Sequence, residues 1–397
     1  MPPFQREFAS RTKLAAYNPA EGAMNRQLRS TLVVLLFVTG VSFSVGQASA
    51  GHPISNSSDT FSPSGTAEIR AKAEAGDATA QLSLGTAYEN GEGVGQNDER
   101  AALWYRRAAE QGNAAAQNRL GVMCRAGRGV EKSKEEAFKW YQRAARQKYA
   151  SAMFNLGTAY YNGDGVGVDD TKSYAWFLLA KEAGSDAAAD AVKRTESEIR
   201  PYQRVDAFTR IGDMYEKGED LAQDHNEEAT WYRRAAEEGG DEAQVKLASL
   251  LLKKGTDKDS EEARHWCEQA AKHPNMLGAY CMGLLCERGV GGKQDPGQAA
   301  KWYSDAGALG HAGALLRLGE MYWKGTGVKQ DKEAAYGFIL LASGAGVPDA
   351  QRDKEQMERE MDSKQVEKGH KKAADWVRAH GVALRLRKPA QGTSDNN

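Results

Sequence analysis

The sequence predicts an all-α fold in which antiparallel helix pairs stack into an open solenoid. Three observations carry this reading. Six of the eight tryptophans recur at one phase, Trp104, Trp140, Trp176, Trp231, Trp266 and Trp302, spaced 36, 36, 55, 35 and 36 residues apart. A further 36 residues lead to Phe338. A Leu-Gly pair and a Gly-x-Gly-Val segment travel with the tryptophans, and the apolar residues between these marks follow i, i+4 steps. Stacked units bury the same side chain at the same place, whereas a single globular core has no reason to.

The first unit shows the period in full. Leu84-Gly85-Thr86-Ala87-Tyr88 precedes Gly91-Glu92-Gly93-Val94, then Ala101, Trp104-Tyr105, Ala108-Ala109 and Gly112. Ala80, Leu84 and Tyr88 form the stripe of a first helix, and the paired glycines end it and turn the chain. Gly85 suggests that another helix axis passes close by. Ala101, Trp104-Tyr105 and Ala108-Ala109 form the stripe of a second helix, whose aromatics fill the space between units. Helices this short are marginal alone, so stacking must stabilise them.

Units two and three repeat the pattern around Gly121, Trp140-Tyr141, Gly157 and Trp176-Phe177. Unit four has Gly212 and Trp231-Tyr232, with Glu219-Asp220-Leu221 in the turn. Unit five has Ala248, Leu251 and Trp266-Cys267 and lacks the Gly-x-Gly-Val turn, which predicts a local change and not a broken stack. Units six and seven follow through Gly283, Trp302-Tyr303, Gly319, Gly325-Thr326-Gly327-Val328 and Phe338. The long gap holds a 19-residue insertion, and residues 185–204 read as one extra helix. Asp349 to His380 reads as a charged helical cap. The organisation expected is a presequence over 1–50, a flexible lead-in over 51–70, a three-unit block with spacer over 71–204, a four-unit block with cap over 205–380, and a polar tail over 381–397. Continuity between the two blocks is open.

From roughly residue 77 to 346 this pattern resembles the Sel1-like repeats, relatives of the tetratricopeptide repeats. The resemblance implies a right-handed superhelix that serves as a non-enzymatic scaffold between proteins. It also implies that first helices line a concave groove, placing Asn118, Arg125, Phe154, Tyr161, Asn162, Tyr280, Arg288, Trp323 and Lys324 toward a protein or peptide partner. Exposed aromatics and arginines are the usual anchors of such an interface. Trp323 is out of phase with the repeat tryptophans, and packing beneath the final cap is its competing reading.

Arg26 and Arg29 precede the apolar run Thr31 to Val45, which ends before Ala48-Ser49-Ala50. That order describes a secretory signal peptide cleaved after Ala50. The run is short for a membrane span of ~20 residues, so no stable insertion is expected after cleavage; an uncleaved anchor is the competing reading. Met24 is an alternative start. The expected location is periplasmic or secreted. The chain left after Ala50 carries 48 Lys plus Arg against 52 Asp plus Glu, which argues against nucleic acid as a partner. Arg385, Arg387 and Lys388 read as a solvated terminus.

An oxidising compartment permits disulfides. Cys267 and Cys281 lie about equally far from the turn at Pro274 on antiparallel helices and form a candidate pair, with two core thiols as the alternative. Cys124 reads as a buried thiol. His265 and Cys267 stand about 200° apart on a helix and do not converge on a metal. Ser-x-x-Lys occurs only at Ser10 to Lys13, no Gly-x-Ser-x-Gly is present, and the glycine turns lack the rest of a dinucleotide fingerprint. No catalytic residue, metal or cofactor is therefore assigned. Arg106-Arg107 and Arg233-Arg234 read as solvated faces. Two alternatives to an adaptor are kept: a cell-wall hydrolase or penicillin-binding activity, and a secreted host-directed effector. Partner identity and oligomeric state are not legible.

Overall fold

The computed structural model describes residues 63–381, which form 18 helices and no strand. The presequence, its cleavage site and the basic cluster at 385–388 lie outside the described residues. Helix α1 (Pro63–Glu74) leads into three pairs: α2 (Ala78–Asn90) with α3 (Asp98–Glu110), α4 (Ala114–Ala126) with α5 (Lys134–Ala145), and α6 (Ala150–Asn162) with α7 (Asp170–Glu182). The spacer is α8 (Asp186–Glu198). Four more pairs follow: α9 (Pro201–Lys217) with α10 (His225–Glu237), α11 (Asp241–Lys254) with α12 (Asp257–Ala270), α13 (Met276–Arg288) with α14 (Pro296–Ala308), and α15 (Ala312–Lys324) with α16 (Lys332–Gly344). Helices α17 (Pro348–Glu360) and α18 (Ser363–His380) close the stack.

Helix ends follow local chemistry. Every repeat's first helix stops at a glycine in the left-handed region, from Gly91 to Gly325. Its second helix starts at a side-chain cap, such as Asn97, Ser133, Asp169 or Asp331, that accepts a free backbone N–H of the first turn. In unit five Gly255 ends one helix and Thr256 caps the next, so the turn shrinks and both helices survive.

The glycine beside the conserved-phase leucine has a different neighbour from the one the sequence suggested. A β-carbon at Gly85, Gly121, Gly157, Gly212 or Gly283 would fall 2.4 to 2.6 Å from the ring of Tyr105, Tyr141, Phe177, Tyr232 or Tyr303. The second aromatic of each pair therefore lies flat beneath its own repeat's first helix. Unit five makes two matched changes, with Ala248 above and the small Cys267 below. Gly212→Ala should cost about 1–3 kcal/mol through overpacking against Tyr232, read as a lower urea midpoint at unchanged slope.

Three of the six repeat tryptophans are covered by arginine. Arg107, Arg143 and Arg234 lie 4.5, 4.4 and 4.3 Å from the ring centres of Trp104, Trp140 and Trp231. This corrects the reading of both arginine pairs as plain solvated faces: the second arginine of each spreads its guanidinium over an aromatic ring.

The structure departs from the sequence expectation at both ends of the stack, and it shows how the two blocks meet. The lead-in is helical from Pro63, with Pro63 at the start of α1 and Ala73 buried against the stack. The carboxyl-terminal run is two helices, because Met361 is extended and Asp362 starts α18 with a reciprocal capping box. The spacer does not break the core. Helix α7 packs on both α8 and α9, and the rings of Tyr174, Phe208 and Trp231 follow one another at 6.5 and 5.8 Å. One apolar cluster runs from Ala73 to Ala243, across residue 204, and a second from Tyr232 to Ala373.

Candidate functional site

Successive repeats meet along a seam beneath their first helices, and each junction closes it in its own way. Between repeats one and two, the Tyr105 hydroxyl donates to Glu89 at 2.6 Å. Arg119 and Arg128 of the second repeat donate to the same carboxylate at 3.3 and 3.1 Å. Between four and five, the Tyr232 hydroxyl has Asp213 and Glu216 as acceptors for its one proton, at 2.7 and 2.9 Å, and Lys246 also reaches Asp213. Tyr303 donates to Glu287 in repeat six. Glu89, Glu216 and Glu287 all stand two residues before the helix-ending glycine.

Where a repeat lacks the tyrosine, it lacks this glutamate too. Phe177 comes with Tyr161, Cys267 with Lys253, and Ile339 with Trp323. At the junction of repeats five and six the clasp is covalent. Cys267 and Cys281 are bonded, with Cα atoms 5.8 Å apart, within the span a disulfide bridges. They occupy the phases of Tyr105 and Arg119. Cys124 and Cys286 are free and buried.

Repeat two departs from this pattern. It keeps Tyr141, 1 % exposed, but the phases of Thr86 and Glu89 hold Val122 and Arg125. The Tyr141 hydroxyl has no hydrogen-bond partner. Burial pushes it up to about 12 against the pull of Arg125. On the Arg125 side of this repeat opens a concavity of about 290 Å³, lined by Arg125, Phe154, Thr158, Tyr161, Phe177 and Arg194, among others. Ala191, Arg194 and Thr195 come from α8, so the spacer forms one wall.

The expected groove residues separate into three groups. Arg125, Phe154, Tyr161 and Asn162 converge on this concavity, Tyr161 donating to Glu198 at 3.2 Å. Asn118 is a correction: it is buried, and its carbonyl oxygen accepts from Asn155 at 2.8 Å, so it joins two repeats instead of facing a partner. The others lie apart, in repeats six and seven. Tyr280 stacks on His311 at 4.0 Å, Arg288 and Lys324 are exposed, and Trp323 is half-buried with the Lys332 ammonium 4.8 Å from its ring centre. A larger concavity of about 390 Å³ lies under α18, but its Asp331 and Lys372 are bonded to each other. The sequence reading missed the α8 wall and the stranded Tyr141 hydroxyl. Superposing the repeats residue by residue would have exposed the exchange of Glu89 for Arg125.

The Sel1 repeat model matches residues 78–113, 114–149, 150–185, 206–240, 241–275, 276–311 and 312–347, more than half of the chain. The chain belongs to the Sel1 repeat family. Sel1-repeat proteins are in general non-catalytic protein-interaction scaffolds. Chitin synthase regulatory factor 3 of Schizosaccharomyces pombe is 32% identical over 124 residues, 30% of this chain and 13% of that protein. An uncharacterised protein of Neisseria meningitidis is 35% identical over 115 residues, 29% of this chain and 24% of that one. This chain thus spans under a quarter of either relative. Among solved structures, a protective antigen of uropathogenic Escherichia coli with an SLR fold is 25% identical, with a TM-score of 0.43, covering 86% of this chain and 80% of that one. A Sel1 repeat protein from Oxalobacter formigenes is 30% identical, with a TM-score of 0.37, covering 77% and 82%. Among the described residues no helix is long and apolar enough to cross a membrane.

Proposed function

We propose that this chain is a non-catalytic scaffold, exported from the cytoplasm, that holds a protein or peptide along its first-helix face. The observation that carries the reading is the concavity at repeats two and three. Its lining combines the aromatic rings of Phe154 and Phe177 with Arg125 and Arg194. Apolar surface beside arginine is what interface anchors are made of. A relative named as a regulatory factor agrees with an adaptor role. Export rests on the signal-like segment before Ala50.

Crosslinking capture with a carboxyl-terminally tagged chain, fractionated by compartment, tests both parts. A defined partner should be recovered outside the cytoplasm, and Phe154→Ala with Tyr161→Ala should reduce its recovery about tenfold or more while helical content is unchanged. Sequencing the exported chain should find Gly51 at its start. A cytoplasmic chain with its presequence intact would refute export. Unchanged capture by the double variant would move binding off this face.

A further inference from the structure

The first junction of the seam shows what the second one lacks. At Glu89 a carboxylate is held by three donors: the tyrosine hydroxyl below and two arginines of the following repeat. In repeat two the tyrosine is kept and the carboxylate is gone. Arg125 stands in its phase, and Asn155 stands in the phase of Arg119. Asp164 has the phase of Arg128, but it pairs with Lys134 at 2.6 Å and not with Arg125. Arg125 and Arg194 make no ion pair within 4.0 Å among the described residues, and Glu198 is engaged by Tyr161.

Two donors suited to a carboxylate, a buried hydroxyl and a half-buried guanidinium, therefore stand at one junction without a carboxylate partner in the protein. A buried hydroxyl without a partner loses the hydrogen bond it makes in water, so such a group calls for an explanation. A repeat that merely tolerated losing its glutamate could have lost its tyrosine as well, as repeats three, five and seven have.

We propose that the junction of repeats two and three binds an acidic side chain of a peptide partner, its carboxylate seated between the Tyr141 hydroxyl and Arg125. The incoming carboxylate supplies from outside what Glu89 supplies within repeat one. The flanking peptide residues lie over Phe154, Phe177 and Ala191, whose apolar surface favours a hydrophobic neighbour to the acid. Arg194 adds a second positive charge at the rim. Arg125 is half-buried on a flexible stem, so its guanidinium can move to meet an entering carboxylate. This inference rests on the scaffold reading, and narrows it to one class of ligand.

The test uses the described chain with ring-labelled tyrosine and two end-blocked peptides, one carrying Leu-Glu-Leu and the other Leu-Gln-Leu, titrated to millimolar concentration by NMR. The glutamate peptide should shift Tyr141 and Tyr161 and bind about tenfold more tightly than its glutamine twin, the worth of a hydrogen bond to a charged group. Arg125→Gln should abolish that difference. Arg125→Glu should fill the acceptor position internally, as in repeat one, and abolish binding while raising the urea midpoint. Equal binding of the two peptides, shifts confined to other tyrosines, or no shift at all would overturn the proposal. A glutamate-peptide analogue with a free carboxyl end and glutamine inside separates the two sources of carboxylate; tighter binding of that analogue would overturn the side-chain assignment. Failure here with partner capture still lost in the Phe154 and Tyr161 variant would leave the scaffold standing. Failure of both would remove it.

Discussion

Gly129→Ala is expected to destabilise the chain by about 3 kcal/mol or more, the largest loss from adding one methyl to it. Two effects combine. Gly129 has φ +65°, where a β-carbon is strained, and that carbon would sit 2.1 Å from the carbonyl oxygen of Asp98. Asp98 opens the preceding repeat's second helix, so the second glycine of the turn is where one repeat docks on another. Gly165, Gly291 and Gly327 meet Lys134, Ser260 and Pro296 in the same way. Urea unfolding measures the loss, and hydrogen exchange should place it first in α2 and α3, because repeat stacks fail at their weakest interface. Gly112→Ala is the control. It has φ +92° with nothing within 4 Å, so it carries the backbone strain without the collision. Equal losses in the two variants would show that the docking contact is unimportant.

Breaking the bond between Cys267 and Cys281 is expected to cost about 3 kcal/mol, the chain-entropy value for a loop of this size. The two residues are 14 apart in sequence. A reductant should lower the unfolding midpoint of the native chain and leave Cys267→Ala unchanged, with the two converging under reducing conditions. Cys124 and Cys286 are buried in apolar surroundings, and burial holds the Cys124 thiol above its usual range, so neither should contribute to the redox response. A native chain indifferent to reductant would show that the junction is held by packing alone.

Much of this architecture is legible in the sequence, because a repeat states its rules several times. The tryptophan phase, the leucine–glycine pair and the turn glycines each recur, and the tryptophans of repeats one to four are all buried, while Trp266 and Trp302 are partly so. What the glycine makes room for was less legible. Spacing shows that a side chain is excluded, but not whether a helix axis or a ring excludes it. The arginines over Trp104, Trp140 and Trp231 escaped because charge suggests solvent, whereas the guanidinium is flat enough to cover a ring. Asn118 was misplaced for a related reason: it lies off its own helix's apolar stripe, yet the next repeat covers it and Asn155 satisfies it. The site was legible only in part. Arg125, Phe154, Tyr161 and Asn162 follow from helix phase, but the wall from α8 depends on how an insertion without repeat precedent packs. In sequence Tyr141 reads as any other core tyrosine, and only the arginine at the phase of Glu89 sets it apart.

A photo-crosslinking side chain placed at Phe154 tests the central claim most directly, with the same group at the exposed Leu103 as its comparison. Irradiation of intact cells should join position 154 to one defined protein outside the cytoplasm, and Arg125→Gln should sharply reduce that product. Position 103 should give no such product. Identical products from both positions, or none from position 154, would contradict a scaffold that binds through the junction of its second and third repeats.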